Sequence, residues 1–310
     1  MVFADLKNDF VFRRIFAKHP GLLRGLLNDL LDRRSDHSIE AIEYLPSEQL
    51  PLVQGAKLSI LDVRCRDRAG TTFIVEMQLL HVTGFVNRVV YNACEAYAEQ
   101  LRVGDPCTKL NDVVAISICD FEVWPDAEQD AAKRPRIPML SRWNMTERAS
   151  GNHDLLQVQY AFLELPKLSD RKPETAGADL WAWLFVHAPE LTEVPADLPS
   201  GPYRAAVELA NEATFTPAEL EAYRKVMDEI QQAREYGDAR EAKGETGGIA
   251  KGKASAILTI LAARSIQVSA EVRARIERCK DPATLDRWIV RATTATSAEE
   301  VIAPPSPERA

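Results

Sequence analysis

Apolar residues at helical spacing open the chain. Phe12, Ile15 and Phe16 form a stripe within residues 8–18, and His19-Pro20 ends it, because a residue preceding proline is pushed out of the helical region. A second helix is predicted over 21–32 from Leu22, Leu23, Leu26, Leu27, Leu30 and Leu31. Residues 39–45 read as a short strand, and Leu50-Pro51 as a break. From Leu58 to Leu80 two β-rich runs flank a charged turn containing Gly70, which is the pattern of a β-hairpin. Helical spacing returns over Val86–Arg102. Val86, Val89, Val90, Ala93, Cys94, Tyr97 and Leu101 lie on the apolar stripe, with Arg88, Tyr91, Asn92 and Glu95 off it. Val113–Cys119 is nearly all apolar, as suits a strand buried on both faces. Residues 123–150 are rich in proline and charge and read as loop. Leu155–Leu165 reads as a strand, since Leu156, Val158, Tyr160 and Phe162 alternate with Gln157 and Gln159. The order helix, strand, hairpin, helix, strand predicts an α/β sandwich.

The second half reads as mostly helical. Leu180–Val186 is a short apolar helix carrying Trp181, Trp183 and Phe185. Thr216-Pro217-Ala218-Glu219 is a capping box with proline at the first helical position, and Leu220, Tyr223, Met227 and Ile230 follow at 3-4-3 spacing. That spacing suits either a core-facing helix or a coiled-coil seam of a homo-oligomer. Glycine and charge dominate 237–253, which reads as a linker or a frayed helix. Ser269, Asp281-Pro282 and Ser297 mark the caps of a last small helical module, with Ile257, Leu258, Leu261, Val272, Ile276, Leu285, Trp288 and Ile289 as its core. The expected organisation is a core over 1–170, a helical extension packed on it over 171–236, a linker over 237–253, a helical module over 254–302 and a disordered tail over 303–310.

Composition narrows the function. The 310 residues are 46% hydrophobic and 27% charged, ordinary for a globular protein. The net charge of −8 excludes a protein that coats nucleic acid, so contact with DNA has to be local or metal-assisted. Five scattered cysteines (Cys65, Cys94, Cys107, Cys119, Cys279) show no CxxC and no zinc spacing, and are expected as reduced, mostly buried thiols of a cytoplasmic protein. The opening residues lack the pattern of a signal peptide, and no stretch reaches the roughly 18 apolar residues of a membrane span.

The hairpin holds the most informative chemistry. With its turn centred near Ala69, paired positions sum to 138, which sets Asp62 opposite Glu76 with Gln78 two residues further along the same face. Facing carboxylates repel across a ladder, and a bound cation reverses that sign. Asp62 and Glu76 could supply two oxygen ligands to Mg2+ or Mn2+, Gln78 could orient a water, and Lys57 and Arg64 are nearby cations. The competing reading is a solvated hairpin face, given the charges at Arg64, Arg66, Asp67 and Arg68. Gly247-Gly-Ile-Ala-Lys-Gly-Lys253-Ala254 falls one residue short of a phosphate loop, since Ala254 stands where a magnesium-binding hydroxyl is needed.

Asp62 followed by Glu76-Met77-Gln78 resembles the PD-(D/E)xK nuclease signature in its ExQ form, and more specifically the recombination-promoting nuclease and putative transposase family. Asn8-Asp9-Phe10-Val11-Phe12-Arg13-Arg14-Ile15-Phe16 resembles that family's opening helix, with Arg13 where lysine is frequent. Lys57–Val63 with Ile74–Gln78 resembles its central hairpin. Arg88, Tyr91, Tyr97, Gln100 and Gly104 resemble the following helix and turn, and Leu163–Lys167 a later strand end. The resemblance implies a restriction-endonuclease-like mixed sheet flanked by helices, with a C-terminal helical extension. It also implies cleavage of double-stranded DNA with a divalent metal, in recombination or transposition. Asp62 and Glu76 would be ligands, and Gln78 would stand for the lysine that positions the attacking water. Asp9 is then either a further acidic residue of the site or a carboxylate favoured by its helix dipole. Arg88, with Tyr91 one turn on, reads either as a phosphate contact or as part of an ion-paired face. A second functional class also fits: a nuclease fold without useful activity that binds DNA or protein.

Overall fold

The computed structural model describes residues 1–33, 38–49, 59–125, 136–169, 171–173 and 175–303, and the chain divides into two units between Ile230 and Gln231. In the first unit, helices α1 (Asp9–Phe16) and α2 (Pro20–Leu30) precede strands β1 (Ile42–Tyr44), β2 (Glu48–Gln49), β3 (Ser59–Ile60), β4 (Val63–Asp67) and β5 (Thr72–Gln78). Helix α3 (Phe85–Ala98) leads to β6 (Val113–Cys119), β7 (Leu140–Trp143) and β8 (Val158–Glu164), and then to α4 (Ala178–His187), α5 (Pro202–Ala210) and α6 (Pro217–Ala263). The predicted Leu50-Pro51 break and Lys57 lie outside the described residues.

The sheet is mixed, in the order β1-β4-β5-β6-β8-β7. β1 pairs antiparallel with β4 and β4 with β5; β5, β6 and β8 are parallel, and β7 returns antiparallel on β8. This is the restriction-endonuclease-like α/β architecture the sequence predicts. Its hairpin keeps the predicted register from Val63–Val75 to Arg66–Thr72, but the ladder stops short of the expected Asp62–Glu76 pair. Gly70, at φ +96°, closes the turn where a Cβ would lie 2.6 Å from Asn111 Oδ1.

Alternation along the strands builds two cores. Val63, Cys65, Phe73, Val75 and Met77 join Val114, Ile116 and Ile118 beneath α1, α2, α4 and α5. Ile74, Val113, Ala115 and Phe162 meet Phe85, Val89, Ala93 and Ala96 of α3 on the other face. A Cβ on Gly25 of α2 would lie 2.9 Å from Pro202, so α5 approaches as closely as glycine permits.

Several expectations are corrected. Residues 123–150 are not all loop, because Leu140–Trp143 forms the edge strand β7. Leu61 belongs to the α3-side core and Val63 to the opposite one, so the chain bends at Asp62 and the hairpin strand is broken there. Of the thiols, Cys65 and Cys119 are buried, Cys94 and Cys107 are exposed and Cys279 is half-buried. Over 237–253, read as a linker or a frayed helix, the backbone is helical, within α6. Glycine costs about 1 kcal/mol in a helix, and the alanine, glutamate, arginine and lysine between the glycines are strong helix formers.

Leu220 and Tyr223 of α6 pack on the first unit's core. In the second unit α7 (Ala270–Arg278), α8 (Pro282–Ala292) and α9 (Ala298–Ile302) start at the predicted caps, since Ser269, Asp281 and Ser297 all accept from backbone N–H groups of the first turn. Ile257, Leu261, Val272, Ile276, Leu285 and Trp288 are its buried core. Among the described residues, no helix is long and apolar enough to cross a membrane.

Candidate active site

Asp62, near the C-terminal end of β5, has a carboxylate on either side: Asp9 of α1 and Glu76 of β5 each feel its charge. Asn8 caps α1, its buried side chain accepting from Phe10 N and Val11 N at 2.9 and 3.3 Å. The cap fixes Asp9 in the first turn, and Arg13 follows one turn later on the same face. Asp62 sits at the bend before β4. Its Oδ2 accepts the Met77 backbone N–H at 2.8 Å, so the carboxylate satisfies a strand N–H where the ladder lapses. Its Oδ1 accepts from Arg13 Nη2 at 2.7 Å and Nε at 3.2 Å.

Glu76 lies inside β5 and is 6% exposed. Its Oε1 accepts from Asn92 Nδ2 at 3.0 Å, and its Oε2 from Gln78 Nε2 at 3.3 Å. Gln78 Oε1 accepts from Arg88 Nη2. A guanidinium has only donors, so Arg88 takes the amide oxygen and leaves the Gln78 NH2 facing Glu76. The spacing explains the match. Four residues of helix rise about 6 Å and two residues of strand about 6.6 Å, so Arg88 and Asn92 sit over Gln78 and Glu76 as consecutive rungs.

Charge is not balanced there. Burial pushes the Asp9 carboxyl up to about 6, helped by the neighbouring Asp62 and opposed by Arg13. Burial and then Asp62 also raise Glu76, against the pull of Arg88 and the Asn92 hydrogen bond. Three carboxylates thus face two guanidinium groups, an environment that favours one more cation. Among the described residues, no set of three or more Asp, Glu, His or Cys is arranged to hold a metal. Magnesium is commonly held by one or two carboxylates completed by water and substrate phosphate. Asp62 and Glu76, hard oxygen donors with an excess of negative charge, fit that pattern.

The structure therefore brings Asp62, Glu76, Gln78, Asp9 and Arg88 together. It does not bring Tyr91, whose hydroxyl donates to Glu95 Oε1 at 3.1 Å from an exposed ring. Arg64 is taken up by Glu99 at 3.0 Å, and His81 is exposed beside Phe121. Asn92 and Glu95, placed off the buried stripe by periodicity, are 4% and 7% exposed, so α3 turns a polar face inward. Two side chains that hold the candidate site's carboxylates were given no role by the sequence reading, Asn92 and Arg13. The signal for each is an i, i+4 relation to a residue already singled out: Asn92 to Arg88, and Arg13 to Asp9.

Behind the site, Glu164 ends β8 with its side chain fully buried beside Lys167, at 3.0 Å. A family model described as PD-(D/E)XK nuclease family transposase matches residues 6–236. No curated protein and no solved structure matches the chain.

Proposed function

The chain belongs to the PD-(D/E)XK nuclease family transposases, and on that premise we propose that it is a metal-dependent endonuclease hydrolysing phosphodiester bonds of double-stranded DNA in recombination or transposition. The observation that carries this reading is the meeting of Asp62 and Glu76, each fixed by donors from another segment of the chain. These two residues would hold Mg2+ or Mn2+, which lowers the pKa of bound water and neutralises charge developing on the phosphate oxygens.

The chain's own groups do the positioning. Met77 N–H and Arg13 hold the Asp62 carboxylate, and Asn92 holds that of Glu76. Gln78 directs its NH2 toward the site because Arg88 holds its oxygen. A neutral amide in place of a lysine ammonium forfeits about 1–2 kcal/mol, roughly five- to thirtyfold in rate. Arg88 sets a full positive charge directly behind that amide, which offsets part of the loss. Asp9 supplies a third carboxylate beside the pair. The free thiols suit a reducing cytoplasm.

The test is plasmid cleavage with and without Mg2+, beside Asp62→Ala and Glu76→Ala. The parent cuts only with metal, and neither variant cuts while its circular dichroism is unchanged. Equal cutting by Asp62→Ala and the parent would sink the assignment. A second reading, a catalytically weak nuclease fold that binds DNA or protein, draws on the guanidinium covering Asp62 and on the net charge of −8. It predicts no nicking at any metal concentration and no metal binding tighter than millimolar by calorimetry.

A further inference from the structure

Arg13 covers a carboxylate that is itself nearly buried. It sets two nitrogens on one oxygen of Asp62, and the other oxygen is committed to Met77 N–H. The Asp62 side chain is 9% exposed, whereas that of Arg13 is 44% exposed. The guanidinium therefore reaches Asp62 from the rim and has an open way out. Asp62 cannot turn away, since its strand end and its hydrogen bond to β5 hold it. A carboxylate has about four lone-pair positions, and three donors already occupy this one. Glu76 has no guanidinium hydrogen-bonded to it: it accepts from the neutral amides of Asn92 and Gln78, with the Arg88 charge one residue behind. A divalent cation held by Asp62 and Glu76 would compete with the Arg13 guanidinium for the Asp62 carboxylate.

We propose that Arg13 is a placeholder cation: its guanidinium competes with a divalent ion for the Asp62 carboxylate and swings out to the rim when the ion binds. The device rests on the metal-site reading above and adds regulation to it. It keeps the carboxylate oriented without metal, at the cost of a weaker apparent affinity. Displacement leaves a free guanidinium at the mouth of the site, where a backbone phosphate would arrive. Metal loading and phosphate binding are thereby linked through one side chain.

The experiment is Mn2+ titration of the full chain by calorimetry, without DNA, for the parent, Arg13→Gln, Arg13→Lys and Asp62→Asn. The competing contact is a charged hydrogen-bonded pair at the rim, worth about fivefold in a binding constant. Arg13→Gln binds Mn2+ about fivefold more tightly than the parent. Arg13→Lys, with one point charge in place of a fork, falls between them. Saturating Mn2+ also raises the melting temperature of Arg13→Gln more than that of the parent. Equal or weaker binding by a folded Arg13→Gln overturns the proposal, as does an absence of binding in both. Should the parent and Asp62→Asn bind Mn2+ alike, the metal site itself is misplaced, a failure distinct from that of the placeholder.

Discussion

Lys167 to Met should loosen the strand end behind the candidate site. Lys167 and Glu164 are almost wholly buried, with side chains 2% and 0% exposed. The ammonium donates to Glu164 Oε1 at 3.0 Å, Trp124 O at 2.9 Å and Ile137 O at 3.2 Å. Glu164 Oε2 in turn accepts from Val123 N and Trp124 N at 2.7 and 3.2 Å. Methionine keeps the volume and removes the charge, which leaves a carboxylate buried without its ammonium. Breaking a buried pair in this way costs about 3–5 kcal/mol. At about 2–4 °C per kcal/mol for a unit of this size, the melting temperature falls by roughly 10 °C. Thermal and guanidinium unfolding followed by tryptophan fluorescence will read it, because Trp124, Trp143, Trp181 and Trp183 all lie in the first unit. Adding Glu164→Gln removes the stranded charge while an amide oxygen still accepts from Val123 and Trp124. About half of the loss returns. The Trp124 and Ile137 carbonyls remain without their donor, at about 1 kcal/mol each. A single-variant loss below about 1 kcal/mol, or a double variant no better than the single, refutes the reasoning. The effect reaches the site by a short path. The anchored segment begins at Asp120, which binds Lys7 at 3.1 and 3.2 Å, and Lys7 directly precedes the Asn8 cap of α1.

Two further outcomes follow from the same geometry. Asp9 titrates near 6 in the folded protein against 3.8 as a free side chain, so between those values the folded state holds the extra proton. Its contribution to stability is full below pH 3.8 and is lost as pH rises through about 6. In chelator, Asp9→Asn should flatten that fall and be more stable than the parent at pH 7, by about 1 kcal/mol, because solvent screens the partly exposed carboxyl; an unchanged pH slope of unfolding counts against it. Gly70→Ala should cost more than about 1 kcal/mol in urea unfolding, because its φ of +96° is strained for alanine and Asn111 blocks the new Cβ; a neutral substitution would contradict the turn geometry.

Much of the frame is legible because sequence order and spacing carry it. The strand Val113–Cys119 has the predicted bounds, being apolar on both faces. The hairpin register follows from one turn glycine and two runs of β-formers, and every pair from 63–75 to 66–72 sums to 138. What escapes is structure set by tertiary contact. β7 is four residues long and pairs only along one edge, so Leu140-Ser141-Arg142-Trp143 offers too short an alternation to detect. α5 buries Tyr203, Ala206, Val207 and Ala210, mostly small side chains whose value lies in close approach to Gly25. The bend at Asp62 is silent in the sequence, since Leu61 and Val63 fit one strand face by alternation and only the opposing cores separate them.

Helix α3 shows why a functional face is harder to read than a structural one. Hydrophobic periodicity locates the buried side by assuming that apolar residues go in. On α3, Val86 and Val90 are 38% and 40% exposed, while Asn92 and Glu95 are nearly covered. The inversion is driven by the strand beneath. Glu76 and Gln78 project from β5 on the α3 side, and a buried carboxylate needs donors more than the helix needs another valine contact. A helix that covers a site therefore carries two overlapping stripes. One is apolar, over Ile74 and Phe162, and the other is polar, over Glu76 and Gln78. Averaging them shifts the apparent face by about a quarter turn. The rule that recovers it is chemical: once Glu76 and Gln78 are suspected on a strand, a donor pair at i, i+4 on the next helix marks the side that turns toward them. Arg88 and Asn92 stand at that spacing.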